Sequence, residues 1–269
     1  MENNTINFII GGKLGDFIHA LFAVKHICKY KNTKANVYIC DIGWEFGIRN
    51  TYTELHPILM QQEYISSFNI LENYTLDSIQ TPQQNSPIII RDKKLISEGY
   101  ICLIDYISSP LLYQTCWSDI YSKTFNFPID ADYKWITYNN INSDLYNKIL
   151  IQRKANVMRN SNFPYKEIID HYGKENILFI SSTEEDYNSF PYKNEIEFYK
   201  VSTLDEWFTS INSSSLIIAN LSAPAAMTQA MDKPRIIELP LTSDYIHYLG
   251  EEKYSNNMHW FLSSQIHNL

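Results

Sequence analysis

Glycine is scarce, at 8 of 269 residues, or about 3% against a usual ~7%. The sequence has no GxGxxG and no glycine-rich run ending in GK[ST], which removes the usual signatures of nicotinamide and P-loop sites. Cysteine is equally sparse. Cys28, Cys40, Cys102 and Cys116 share no CxxC spacing, so neither a disulfide framework nor a zinc ribbon is expected and reduced thiols are. Positive charge is short: 22 Lys and Arg stand against 30 Asp and Glu, a net charge of −8. No basic run of four or more occurs, and without such a stripe a protein displaces few counterions, which argues against nucleic acid as the main partner. HxH, HExxH and GxSxG are all missing, so no metal site and no serine elbow is expected. No 18 apolar residues follow one another, and MENNTINFIIGG lacks a basic leader, so neither an integral membrane segment nor a signal peptide is expected. The expected location is cytoplasmic.

What is present suits a folded protein, with 45% hydrophobic and 19% charged residues. Twenty tyrosines and abundant Asn, Ile and Lys suit an A/T-rich genome such as that of a virus, which would place the protein in host cytoplasm. At roughly 150 residues per domain, the length predicts one large domain or two modest ones. Strand, tight loop and helix succeed one another from Asn7 to Cys28, and Val37–Cys40 returns as a second strand. The Tyr-, Gln- and Pro-rich stretch from Gly43 to Pro87 reads as irregular, with a helix near Thr53–Gln62. Ile88–Ile90 and Tyr100–Ile104 are expected strands and Cys116–Phe125 a helix.

The polar run Asn139–Asp144 marks a boundary, giving domains over 1–140 and 141–269. Beyond it, strands at Lys148–Gln152, Ile177–Ser181, Phe198–Val201, Leu216–Ala219 and Pro234–Leu239 alternate with helices at Phe163–Tyr172, Glu206–Asn212 and Ala225–Met231. Thr203-Leu-Asp-Glu206 is a capping box, and Asn256–Ile266 reads as a terminal helix. The fold class is α/β, with a mostly parallel sheet in each half.

Three constellations could carry chemistry. Gly11-Gly12-Lys13-Leu14-Gly15-Asp16, followed by His19, ends the first strand, where parallel sheets bind ligands and glycines let them approach the backbone. The plain alternative makes the glycines turn residues and Asp16 a helix N-cap. Asn220-Leu-Ser222-Ala223-Pro224-Ala-Ala226 leaves a buried strand for a helix, whose dipole and N–H groups favour phosphate, unless it is only a capped turn. Gln152-Arg153…Arg159-Asn160 follows another strand, where arginines can pair with phosphate oxygens or simply lie in solvent. Glu184-Glu185-Asp186 could hold a ribose or face water.

In this order, the features resemble the family-nine, heptosyltransferase-like glycosyltransferases of GT-B fold. The sharpest match is Gly12-Lys-Leu-Gly15-Asp16-Phe-Ile-His19-Ala-Leu, similar to the family's glycine loop, Gly-Asp and helix. Ile149–Arg159, Ser182–Asp186 and Thr203-Leu-Asp-Glu206 resemble its later segments, and Asn220-Leu-Ser222-Ala-Pro224-Ala with Asp232-Lys233-Pro234 resembles its donor loop. The resemblance implies two Rossmann-like domains facing each other across a cleft, the first for the acceptor and the second for the nucleotide sugar. It implies an inverting, metal-independent transfer of sugar from a nucleotide-diphosphate sugar to an acceptor hydroxyl, such as that of a glycan. No bound cofactor is expected. Asp16 would be the general base, with His19 in reserve. Ligand contacts would come from Gly12, Lys13 and Gly15 and from Arg153, Arg159, Asn160, Glu185, Asp186, Asn220, Ser222, Ala223 and Pro224, the arginines and the N–H groups after Asn220 facing the diphosphate. Asn220 stands where the family carries Asp, and the chain is short for the fold, so the alternative is a non-catalytic sugar-nucleotide or glycan-binding protein.

Overall fold

The computed structural model describes residues 4–41, 44, 47–75, 96–104, 109–112, 114–129, 133–156, 162–239, 251–255 and 257–261. Strand and helix alternate along the chain, which divides into two compact units, Met1–Thr137 and Tyr138–Leu269.

In the first unit, β1 (Thr5–Ile10) is followed by α1 (Leu14–Lys31), β2 (Lys34–Asp41), α2 (Ile48–Leu59), β3 (Ile65–Thr75), β4 (Tyr100–Cys102) and α3 (Trp117–Phe125). The sheet order is β3-β2-β1-β4 and every pairing is parallel. Along β1 and β2, alternate residues Phe8, Ile10, Val37 and Ile39 are sealed from water. Helix α1 buries Phe17, Leu21 and Val24. Asn32 ends α1 in the left-handed conformation that Asn tolerates, its N–H turning back to the carbonyls of Cys28 and Lys29. The other sheet face starts as a polar ladder, in which Asn36 Nδ2 donates to Thr5 Oγ1 and Asn7 Oδ1 and Ser67 Oγ donates to Asn36 Oδ1, and continues as a buried cluster of Ile9, Cys40 and Cys102.

The second unit runs β5 (Ile149–Gln152), α4 (Tyr165–Tyr172), β6 (Ile177–Ser181), α5 (Glu184–Asn188), β7 (Glu197–Lys200), α6 (Leu204–Ser213), β8 (Leu216–Asn220), α7 (Ala223–Ala230), β9 (Arg235–Glu238) and β10 (Met258–Phe261). Its sheet is again wholly parallel, in the order β7-β6-β5-β8-β9-β10. This is the 3-2-1-4-5-6 order of a dinucleotide-binding sheet, with its switch point between β5 and β8. The first sheet is built alike, 3-2-1-4, and switches between β1 and β4. Strands β5 and β6 are buried at every position, as strands covered on both faces must be. The Thr203 capping box forms, Thr203 Oγ1 accepting from Glu206 N–H and Glu206 Oε2 accepting from Thr203 N–H.

Two expectations fail here. The stretch read as irregular holds, after its expected helix (α2), the unforeseen strand β3. Met258–Phe261 is not helical: it lies parallel to Arg235–Glu238, where the open edge of β9 offers backbone partners. Ile88–Ile90 lies outside the described residues. Among the described residues no helix is long and apolar enough to cross a membrane.

Candidate functional site

The chain leaves β1 through Gly12, whose φ of +104° belongs to the region only glycine enters freely. A Cβ there would also meet Asp16 Cβ at 3.2 Å and Oδ2 at 3.3 Å, so the missing side chain is what admits the carboxylate. Helix α1 begins after exposed Lys13, and Gly15 lies in its first turn. Asp16 is therefore not the N-cap. It is the third helical residue, and its Oδ2 accepts the Lys13 N–H at 3.3 Å, satisfying a donor the helix leaves open. Burial lifts its carboxyl above the ordinary range, against the lowering effects of that hydrogen bond and of the Lys13 charge. A half-buried carboxylate with raised proton affinity thus stands at the switch point of the first sheet.

His19 is placed otherwise. It is 3% exposed and stacks on Trp117, ring centroids 5.2 Å apart, with Trp135 at 6.4 Å. Trp135 is itself fixed by its Nε1 donating to the Ile18 carbonyl. The imidazole belongs to the packing of α1 on α3, and the expectation of a reserve base at His19 is corrected on that ground.

In the second unit, the loops after β5 and β8 are joined at the switch point. Asn220, fully buried, accepts the Lys154 N–H at 3.1 Å and donates to the Lys154 carbonyl at 3.2 Å. Ser222 Oγ donates to Gln152 Oε1 at 2.6 Å. Ser222 is the N-cap of α7, and its carbonyl accepts the N–H groups of Ala225 and Ala226. Ala223 and Pro224 open that helix, so the Ala223 N–H is the first helical donor and Pro224 supplies none.

Arg153 does not reach toward a ligand. It is 6% exposed and grips Glu238, at the end of β9, with Nε on Oε2 and Nη2 on Oε1, both at 3.0 Å. Tyr165 donates to the same carboxylate at 2.6 Å and offers its ring to the guanidinium. Burial opposes the Arg153 charge, yet the hydrogen bonds and charge of Glu238 hold it protonated more firmly than usual. Burial, and then the Glu238 carboxylate, drives the Tyr165 hydroxyl well above its ordinary range. Both sequence readings of Arg153, phosphate ligand and solvated side chain, give way to a buried pair spanning β5 and β9.

Asp186 is likewise internal, accepting from Ser181 Oγ at 2.6 Å and from the Ala155 N–H at 2.7 Å, so it holds the β5 loop against β6 rather than offering itself to a ribose. Glu185, beside it, is exposed. Arg159 and Asn160 lie outside the described residues. Sequence reasoning missed Glu238 and Tyr165. Their one signal is an acid closing an apolar strand, Arg235-Ile-Ile-Glu238, where a buried partner is required. Among the described residues, no three His, Cys, Asp or Glu side chains gather as a metal site would need.

No protein-family model matches the sequence, and no curated protein matches it either. Solved structures do resemble it in fold. E. coli heptosyltransferase WaaC, solved with ADP, superposes with a TM-score of 0.56 at 10% identity, covering 96% of this chain and 92% of that one. A family 9 glycosyltransferase from Veillonella parvula gives 0.54 at 12% identity, covering 97% and 87%. The E. coli ADP-heptose LPS heptosyltransferase II gives 0.53 at 12% identity, covering 95% and 90%. All three are bacterial. Likeness across nearly the whole of each chain, together with two parallel sheets built to one winding order, makes this the α/β fold of GT-B glycosyltransferases.

Proposed function

We propose that the protein is a glycosyltransferase that moves a sugar from a nucleotide-diphosphate sugar to an acceptor hydroxyl, with inversion and without a metal ion. The observation that carries this reading is Asp16, a half-buried carboxylate held at the end of β1 by the Gly12 turn. Its raised proton affinity suits a group that must take a proton from an alcohol near neutral pH. The acceptor hydroxyl would attack the anomeric carbon as Asp16 removes its proton, and the nucleoside diphosphate would leave with the bonding pair. In the second unit, the start of α7 would stabilise the charge that gathers on the leaving diphosphate. Arg159 and Asn160 would add to it, and exposed Glu185 would accept from ribose hydroxyls. The relatives in fold include WaaC solved with ADP, which supports a nucleoside diphosphate as the group to be bound.

A binding-only protein is the second reading, and Asn220 favours it. The residue at the family's donor-loop acid is here an amide committed to both backbone groups of Lys154. Calorimetry with UDP, GDP and ADP tests the donor side. One of the three should bind wild type, and Arg159→Ala should weaken it about tenfold to a hundredfold, the worth of a hydrogen bond to a charged group. Failure of all three to bind removes both readings.

A further inference from the structure

At the switch point of the second sheet, one polar side chain is left half used. Gln152 ends β5 and is 3% exposed. Its carbonyl oxygen accepts from Ser222 Oγ at 2.6 Å, the shorter of two contacts open to that hydroxyl, the other being the Asn220 carbonyl at 3.1 Å. Its amide nitrogen, with two N–H groups, has no partner among the described residues, although burying such donors unpaired is costly. Because Ser222, the N-cap of α7, holds the oxygen of the same amide, that nitrogen lies beside the start of the helix. Beside it, the Arg153 guanidinium is taken up by Glu238 and the Asn220 amide by the backbone of Lys154. The positive pole of a helix start, next to a buried and fixed N–H donor, selects an anion.

We propose that Gln152 is a donor-binding residue that gives its amide N–H to a phosphoryl oxygen of the nucleoside diphosphate at the start of α7, with Ser222 as the positioning residue that turns the amide outward. The inference rests on the proposed donor site in the second unit and deepens it. It adds a neutral donor to diphosphate recognition there, with buried Arg153 acting only as a brace for the strands.

The two roles open to Gln152 predict opposite orders among its variants. If it only braced Ser222, Gln152→Glu would be the milder change, because a carboxylate still accepts from the serine hydroxyl, whereas Gln152→Met loses that bond. If it binds phosphate, Gln152→Glu is the harsher change, replacing a donor by an anion facing an anion. Calorimetry on wild type and both variants with UDP, GDP and ADP, with melting temperatures alongside, reads the order. We expect the diphosphate that binds wild type to bind Gln152→Met about tenfold to a hundredfold more weakly, and Gln152→Glu more weakly still. Equal binding by wild type and Gln152→Met, or Gln152→Glu binding better than Gln152→Met, overturns the role of Gln152 while leaving the donor site standing. If Gln152→Glu does not fold, undiminished binding by Gln152→Met still overturns it. No binding by wild type removes the donor site itself.

Discussion

Asp16 carries a charge that folding makes harder to keep. Its carboxyl is lifted by burial, so the native state holds the proton to a higher pH than the unfolded chain does. Stability from this residue is therefore fully present below the ordinary carboxylate range and is lost as pH rises through the native value. At neutral pH the cost of the buried charge is in place, and Asp16→Asn, which keeps an oxygen for the Lys13 N–H, should melt at a higher temperature than wild type. Below the titration of Asp16 the gap should close. Melting curves from acid to neutral pH check this, and a variant less stable than wild type at pH 7 contradicts it. Asp16 was legible in the sequence because everything that places it lies within five residues, from Gly12 onward. Arg153 was not, because its partner stands 85 residues away and strand pairing alone brings them together. His19 misled for a related reason: its helix position was read correctly, but the stacking partner Trp117 comes from a helix the spacing cannot locate in space.

Among the elements, β5, β8 and β9 are tied at their carboxyl ends, where a parallel sheet has no further backbone pairing. The Arg153–Glu238 pair, with Tyr165, crosses from β5 to β9 over the end of β8. Removing one member of a buried pair leaves the other uncompensated, so Glu238→Leu should destabilise the protein by about 3–5 kcal/mol. The double variant Arg153→Met, Glu238→Leu should recover much of that loss, since apolar partners of similar size often replace buried pairs at little cost. Denaturant unfolding of the three proteins decides the point, and a double variant no better than Glu238→Leu alone would show that the pair is not the unit of stability. Strands with apolar runs, such as Ile177–Ser181, were legible because both faces are buried. Strand β3 was not, because its Ser67 and Asn69 face a polar ladder and break the apolar signal. Strand β10 was misread because its conformation depends on the edge of β9 rather than on its own spacing.

The whole molecule repeats one device, a wholly parallel sheet with polar groups gathered at its switch point, in two compact units. In the first unit the group is an acid, and in the second it is a set of N–H donors at a helix start. If those donors, with Arg159, supply the field that stabilises the departing diphosphate, activity should survive EDTA unchanged. Strict dependence on added magnesium or manganese, measured as product formed with and without chelator, would assign that work to a metal. The central claim is that the protein transfers sugar from a nucleotide sugar with Asp16 as the base. Its most direct test is release of nucleoside diphosphate from a panel of nucleotide sugars by wild type and Asp16→Asn. The account predicts release by wild type from at least one donor, and a rate on the order of a hundredfold lower or more in Asp16→Asn with donor affinity near wild type. Donor binding without any release, or equal release by the two proteins, contradicts it.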